Sequence, residues 1–233
     1  MERILLLLIT YPVILISLSF HEFSHAFAAD KLGDPTAKYL GRLTLNPIVH
    51  IDLVGTVIIP IFMALTGLPL FGWAKPVPVN PLNFRNTRRD MAIVSFAGPA
   101  SNFILCIGSI ILIYIFSIFI KPTIGTPENG MVLVAMILFF LPIINIFLMI
   151  FNMIPIPPLD GAGILRHFLP FRIEEQYDRI FGNRIVNIIV IVVVLNLFLR
   201  GVFSLVLLVF QSLLPNSFLL LVWEGFGRLG MLK

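Results

Sequence analysis

Apolar residues in this chain come in long runs rather than in alternation. Five stretches stand out, at roughly 3–29, 52–66, 91–120, 131–154 and 184–199, and a further apolar tail runs from 202 to 223. Polar segments separate them at 30–47, 67–90, 121–130 and 155–183. A helix of about 20 apolar residues spans a hydrocarbon core of about 30 Å, so most of these stretches predict membrane helices. The stretch 52–66 differs: as a helix it would reach only about 22 Å. It also contains Gly55 and Pro60, and it predicts a re-entrant or partial span. Arg200-Gly201 interrupts the last stretch. The expected fold class is an all-α membrane protein. It is a polytopic bundle of about five to six membrane helices, one of them re-entrant, in a single domain over 1–233.

Composition agrees. The chain has 233 residues, 58% hydrophobic and 12% charged, with mean hydropathy +1.02. A soluble domain carries roughly 25% charged residues. A cleaved secretory signal is not expected, because the N-terminal apolar stretch is longer than such signals and lacks their small-residue cleavage site. Net charge is +4 with a pI of about 9.5. The basic residues flank apolar runs and form no block interleaved with aromatics, so they read as orientation signals rather than a nucleic-acid surface. Cys106 is the single cysteine, which excludes an internal disulfide and a cysteine-rich metal site.

Charge also orients the chain. If 52–66 does not cross, the basic segments fall on one side, the cytoplasmic one. These hold Lys31, Lys38 and Arg42; Lys75, Arg85, Arg88 and Arg89; and Arg166, Arg172 and Arg179. The segment 121–130, with Lys121 alone, falls outside. The helices at 3–29 and 131–154 then run parallel, and their C-terminal ends lie at similar depth.

At the end of the first stretch stands His21-Glu22-Phe23-Ser24-His25. HExxH on a helix puts two imidazoles one turn apart on one face, where both bind one zinc, and the glutamate is placed to activate water at the metal. Ionisable groups at membrane depth are costly and mark function. A hydrolytic zinc needs a third protein ligand. His50 and His167 are available, but both read more simply as interfacial residues, His50 beside a helix cap at Asp52. Asp160 is the more telling candidate. It follows Asn152-Met153-Ile154-Pro155-Ile156-Pro157-Pro158-Leu159, whose prolines end a helix and hold an extended turn from which the aspartate projects.

Ser17, His21, His25 and Ala28 share one polar or small face of the first helix. Ser95, Pro99, Asn102, Cys106 and Ser109 make a small-residue seam suited to close helix packing. Asn145 and Asn152 share a face of the helix from 131. Asn152 lies nearest the Asp160 turn and is a candidate donor to the oxyanion of peptide hydrolysis. Arg42-Leu43-Thr44-Leu45-Asn46 alternates like a short strand, and Lys75-Pro76-Val77-Pro78-Val79-Asn80 reads as an extended edge. Such membrane-associated strands would take up an unwound substrate backbone.

HEFSH in a membrane helix followed by NMIPIPPLDG in a later one resembles the site-2 protease family of intramembrane zinc metalloproteases. Ala97-Gly98-Pro99-Ala100-Ser101-Asn102 and Phe71-Gly72-Trp73-Ala74-Lys75-Pro76-Val77-Pro78-Val79-Asn80 add to the likeness, the latter to its short prokaryotic branch. The resemblance spans roughly 17–166. It departs at Ala162, where many members have a second glycine, and in lacking a PDZ or CBS domain. It implies one zinc per chain on His21, His25 and Asp160, with Glu22 as base, and it points also to Asn152. The expected activity is hydrolysis of peptide bonds in or near transmembrane segments of membrane protein substrates. The expected setting is a prokaryotic cell membrane, multi-pass, with the lipid bilayer and a transmembrane substrate as partners and no nucleic acid. A membrane ion or proton transporter and a non-catalytic membrane adaptor are the competing classes. Neither substrate identity nor oligomeric state can be read from the sequence.

Overall fold

A computed structural model describes residues 2–66, 72–120 and 129–230. Three helices among them are long and apolar enough to cross a membrane: Ile4–Leu32, Thr87–Phe119 and Gly130–Asn152. They belong to α1 (Glu2–Leu32), α5 (Thr87–Phe119) and α6 (Asn129–Asn152). Between α1 and α5 lie two short helices, α2 (Thr36–Tyr39) and α3 (Pro47–His50). A π-helical turn at Leu53–Ile58 then leads into α4 (Ile59–Thr66). After α6 come α7 (Asp160–Phe168), α8 (Phe171–Phe181), α9 (Arg184–Leu213) and α10 (Asn216–Arg228).

Side-chain pairing fixes the directions of the three long helices. Ser17 of α1 meets Asn145 of α6, and His21 and His25 meet Asp160 just beyond the end of α6, so α1 and α6 run parallel. His25 meets Val94 and His21 meets Asn102, so α5 runs antiparallel to both. The parallel pair expected from charge counting is therefore present. Polarity is turned inside out, as lipid demands: Ser17, Asn102, Ser109 and Asn145 are fully or almost fully buried, while Leu8, Ile104, Ile118 and Phe119 face outward.

The apolar core lies away from the polar end. Cys106 and Ile113 of α5, Met136 and Phe139 of α6, Phe210 of α9, and Phe218 and Val222 of α10 form it. α9 continues through Arg200-Gly201, contrary to the interruption expected there. A lone glycine costs a helix only about 1 kcal/mol and arginine is a good helix former. The break comes later, at Pro215.

The segment 52–66 turns back. Asp52 caps it, accepting from the N–H groups of Val54 and Gly55 at 3.0 and 2.7 Å. Leu53–Thr66 is a short apolar helix. The chain then returns to the same level: the Trp73 N–H donates to Gly55 O at 3.3 Å, and the Lys75 N–H to His50 O at 2.9 Å. Farther on, Asp34 accepts from the Asn80 N–H at 2.7 Å and from Asn83 Nδ2 at 2.7 Å. The loops before and after 52–66 thus meet at one end of the bundle. Arg88 reaches Leu169 O and Glu174 there, joining the 155–183 region to the same end. The opposing segment, with Lys121, lies outside the described residues.

The strands expected at 42–46 and 75–80 are not formed; no strand occurs among the described residues. The prolines do keep 75–80 extended. Apart from the Lys75 N–H, which bonds to His50 O, its bonded backbone groups go to side chains of Glu22, Asp34 and Arg42 and not to a partner strand. At 44–46 the Thr44 hydroxyl accepts from the Asn46 N–H, and the Asn46 side chain caps α3.

Candidate metal centre

His21 and His25 project from one face of α1, and Asp160 reaches them as the first residue of α7. The aspartate was expected on a non-helical segment; instead the proline turn ends at Leu159 and the helix starts at the ligand. His21 Nε2 and His25 Nε2 are 3.0 Å apart. Asp160 Oδ2 lies 3.1 Å from the first and Oδ1 lies 3.3 Å from the second.

The other ring nitrogens fix the tautomers. His21 Nδ1 is 2.6 Å from Asn102 Oδ1, and His25 Nδ1 is 2.7 Å from Val94 O. A carbonyl oxygen only accepts, so each Nδ1 carries the proton and each Nε2 presents a lone pair. Asn102 is itself held: its Nδ2 donates to Asn145 Oδ1 at 2.8 Å, and Asn145 Nδ2 donates to Ser17 Oγ at 2.9 Å. This chain of amides leaves the Asn102 oxygen, not its nitrogen, facing His21. Gly98 makes the approach of α5 possible, since a Cβ there would fall 2.6 Å from Cε1 of both histidines.

Two lone pairs and a carboxylate converge at about the same point, and the buried Asp160 Oδ2 accepts no hydrogen bond. Such a set is repulsive without a cation between its members. Four ligands at bond lengths of about 2.0–2.1 Å around tetrahedral zinc stand about 3.3 Å apart. The observed 3.0–3.3 Å separations fit that ion. Nitrogen and carboxylate donors, three in number, leave its fourth position open, as in hydrolytic sites.

Glu22 is nearly buried beside the ligands. Its Oε2 accepts from the Val77 N–H at 2.9 Å. Asn152, close to the end of α6, donates its Nδ2 to Leu148 O at 2.9 Å, within its own helix. His50 is buried beside the Asp52 cap, with Nε2 at 2.8 Å from Thr44 O and Nδ1 without a partner. His167 packs edge-on against Phe168. Asn102, which the sequence reading placed in a packing seam and in the Ala97–Asn102 motif without a role, is the residue whose amide meets His21. The signal was present, an asparagine within an apolar helix, but its partner was not.

A family model described as peptidase family M50 matches residues 120–199, which include Asp160 but not the HEFSH helix. "Putative zinc metalloprotease YwhC" of Bacillus subtilis is 40% identical over 175 residues, covering 73% of this chain and 75% of the relative. "Putative zinc metalloprotease Rip2" of Mycolicibacterium smegmatis is 33% identical over 156 residues, 66% of this chain and 55% of the relative. Its namesake from Mycobacterium tuberculosis is 32% identical over 156 residues, with the same coverage. The chain thus spans just over half the length of the Rip2 proteins. No solved structure matches.

Proposed function

The chain belongs to peptidase family M50, the site-2 proteases, and from that premise we propose that it is an intramembrane zinc endopeptidase. Its substrates are membrane proteins cut in or near a transmembrane segment. The observation that carries this reading is the convergence of His21, His25 and Asp160 with Glu22 beside them at the end of a membrane helix. A soluble hydrolase has no need of that placement.

His21 Nε2, His25 Nε2 and Asp160 hold one zinc. Bound zinc supplies Lewis acidity toward a carbonyl and lowers the pKa of water. Asn102 and Val94 keep both rings in the ligating tautomer. Glu22 is the base. The Val77 bond to Oε2 leaves Oε1 to take a proton from the attacking water and deliver it to the leaving nitrogen. Asn152 donates to the developing oxyanion once its amide leaves Leu148 O.

The polar end, rich in lysine and arginine, faces the cytoplasm of a prokaryotic cell. α9, 30 residues long, adds a further crossing to the three long helices in a multi-pass arrangement. Cysteines placed at 38, 85 and 172 in a Cys106→Ser background should label from one side and a cysteine at 126 from the other. Labelling of 38 and 85 from opposite sides would make 52–66 a full crossing.

The deciding experiment is Glu22→Gln. The amide keeps size and hydrogen bonding but cannot take a proton, so zinc stays stoichiometric while cleavage of single-span peptides falls by about 10²- to 10⁴-fold. Near-wild-type cleavage by Glu22→Gln rejects the mechanism. Ion flux without proteolysis supports a transporter, and an unaffected variant with no cleavage in either form supports an adaptor.

A further inference from the structure

Arg42 is buried, yet no carboxylate pairs with it among the described residues. Its guanidinium bonds instead to three backbone carbonyls. One nitrogen donates to Val49 O; the other donates to Lys75 O at 3.0 Å and Pro76 O at 3.1 Å. A charged group buried on neutral carbonyls alone is an expensive arrangement, so what it holds is informative.

What it holds is one planar unit. The Pro76 carbonyl and the Val77 N–H belong to the same trans peptide and point in opposite directions. Arg42 sits at the carbonyl end. Glu22 sits at the N–H end. Fixing one end aims the other. Pro76 and Pro78 stiffen the unit on both sides, because each proline locks its own φ and restricts the residue before it. Arg42 is itself fixed by the C-terminal end of α2. Gly41 takes φ +68°, and the Arg42 N–H returns to Ala37 O at 2.8 Å while the Gly41 N–H bonds to Lys38 O at 3.0 Å.

We propose that Arg42 is a positioning residue for the base, acting through the Pro76–Val77 peptide on Glu22 Oε2 and so directing Oε1 toward the reacting water. This rests on Glu22 being the base. It assigns a role in turnover to a loop that carries none of the metal ligands.

The test joins hydrogen exchange to kinetics on the purified full chain. Within 75–80 only Lys75, Val77, Val79 and Asn80 have exchangeable main-chain amides. In Arg42→Gln the Val77 amide should exchange at least about tenfold faster, while the Asn80 amide, held by Asp34, stays protected. A merely structural role would loosen both together, and that result, or an unchanged Val77, overturns the proposal. With a fluorophore–quencher single-span peptide as probe, Arg42→Gln should lower kcat by about 10- to 100-fold at constant KM and zinc content. Arg42→Lys should recover part of that loss. A raised KM with intact kcat would make Arg42 a substrate-binding group and end the proposal.

If Arg42→Gln fails to fold, Arg42→Lys and Val77→Pro replace it. Val77→Pro removes the N–H, so adding Arg42→Lys to it should lower kcat no further. Additive losses refute action through that N–H. If the wild-type chain leaves the probe uncut, the proteolytic reading fails, and Val77 exchange still decides whether Arg42 sets the strap.

Discussion

His21 and His25 are oriented by groups inside packed membrane helices, whereas Glu22, between them in sequence, is oriented by a backbone N–H from an irregular segment. The ligand half of the centre rests on Asn102, Asn145 and Ser17, all almost wholly buried and drawn from three helices. The base half rests on the extended strap 72–80, pinned by Asp34, Arg42 and Thr56. Helix packing holds the first and side-chain-to-backbone hydrogen bonds hold the second. Under the proposed mechanism this is a division of labour: metal retention would depend on the packed helices, and the direction of proton transfer on a strap whose disturbance should not expel the metal.

The largest effects should separate the halves outright. His21→Ala, His25→Ala and Asp160→Ala each remove one of three protein ligands, so zinc measured by elemental analysis should fall to near zero. Glu22→Gln should retain all of it. Full zinc in Asp160→Ala would break the comparison at its first step and bring forward His50, whose buried Nδ1 has no partner.

Next comes the support beneath the ligands. Asn102→Leu is close in size but presents no acceptor to His21 Nδ1. The ring then loses its fixed tautomer and orientation, and zinc affinity should drop by about 10- to 100-fold in a chelator competition. The same variant leaves the Val77–Glu22 bond untouched. Unchanged affinity would show that helix packing, not the Asn102 amide, orients the ligand.

The cluster of His21, His25 and Asp160 was legible from sequence because each member carries a local signature. Two histidines four residues apart share a helix face whatever the fold, and a proline-rich turn announces the residue that follows it. The long helices were legible from apolar run length, and the return of 52–66 from its shortness and flanking charge. Asn102 was not legible in its role. Its bond to His21 spans 81 residues and depends on the antiparallel register of α1 and α5, which no local pattern sets. The strap was half legible. Its prolines gave an extended backbone, correctly. They did not tell where its N–H and C=O groups go, because Asp34, Arg42 and Glu22 reach it from elements 33 to 55 residues away.

A smaller effect sharpens the strap side. Asp34 is fully buried and accepts from Thr36, Asn83 and the N–H groups of Thr36 and Asn80. Asp34→Asn turns one oxygen into a donor, which is least disruptive against the Asn80 N–H and costs roughly 1.5 kcal/mol there. Zinc affinity should not change. Burial tends to raise the Asp34 carboxyl, but its donors, Thr36 and Asn83 first, hold it below the ordinary carboxylate range. Its contribution is therefore complete above the unfolded value of about 3.9 and is lost as pH falls through the lower folded value. The stability gap between wild type and Asp34→Asn, measured by unfolding in mixed micelles, should be full at neutral pH and shrink below that range. A gap independent of pH would mean that the ionised carboxylate is not what pins the strap.

The smallest effect tests how far the buried amide chain reaches. Ser17→Ala removes the hydroxyl that accepts from Asn145 Nδ2, but Asn145 still donates to Leu141 O at 2.8 Å. The Asn145 oxygen therefore stays turned toward Asn102, and His21 keeps its acceptor. Interhelical hydrogen bonds of this kind average about 0.6 kcal/mol in membranes, so zinc affinity should weaken by no more than roughly threefold. In an Asn145→Ala background the same change should do nothing further, because its partner is gone. A loss as large as that of Asn102→Leu would mean that Ser17 sets the amide directions for the whole chain. The ligand half would then depend on α1 for its own orientation rather than on α5 and α6.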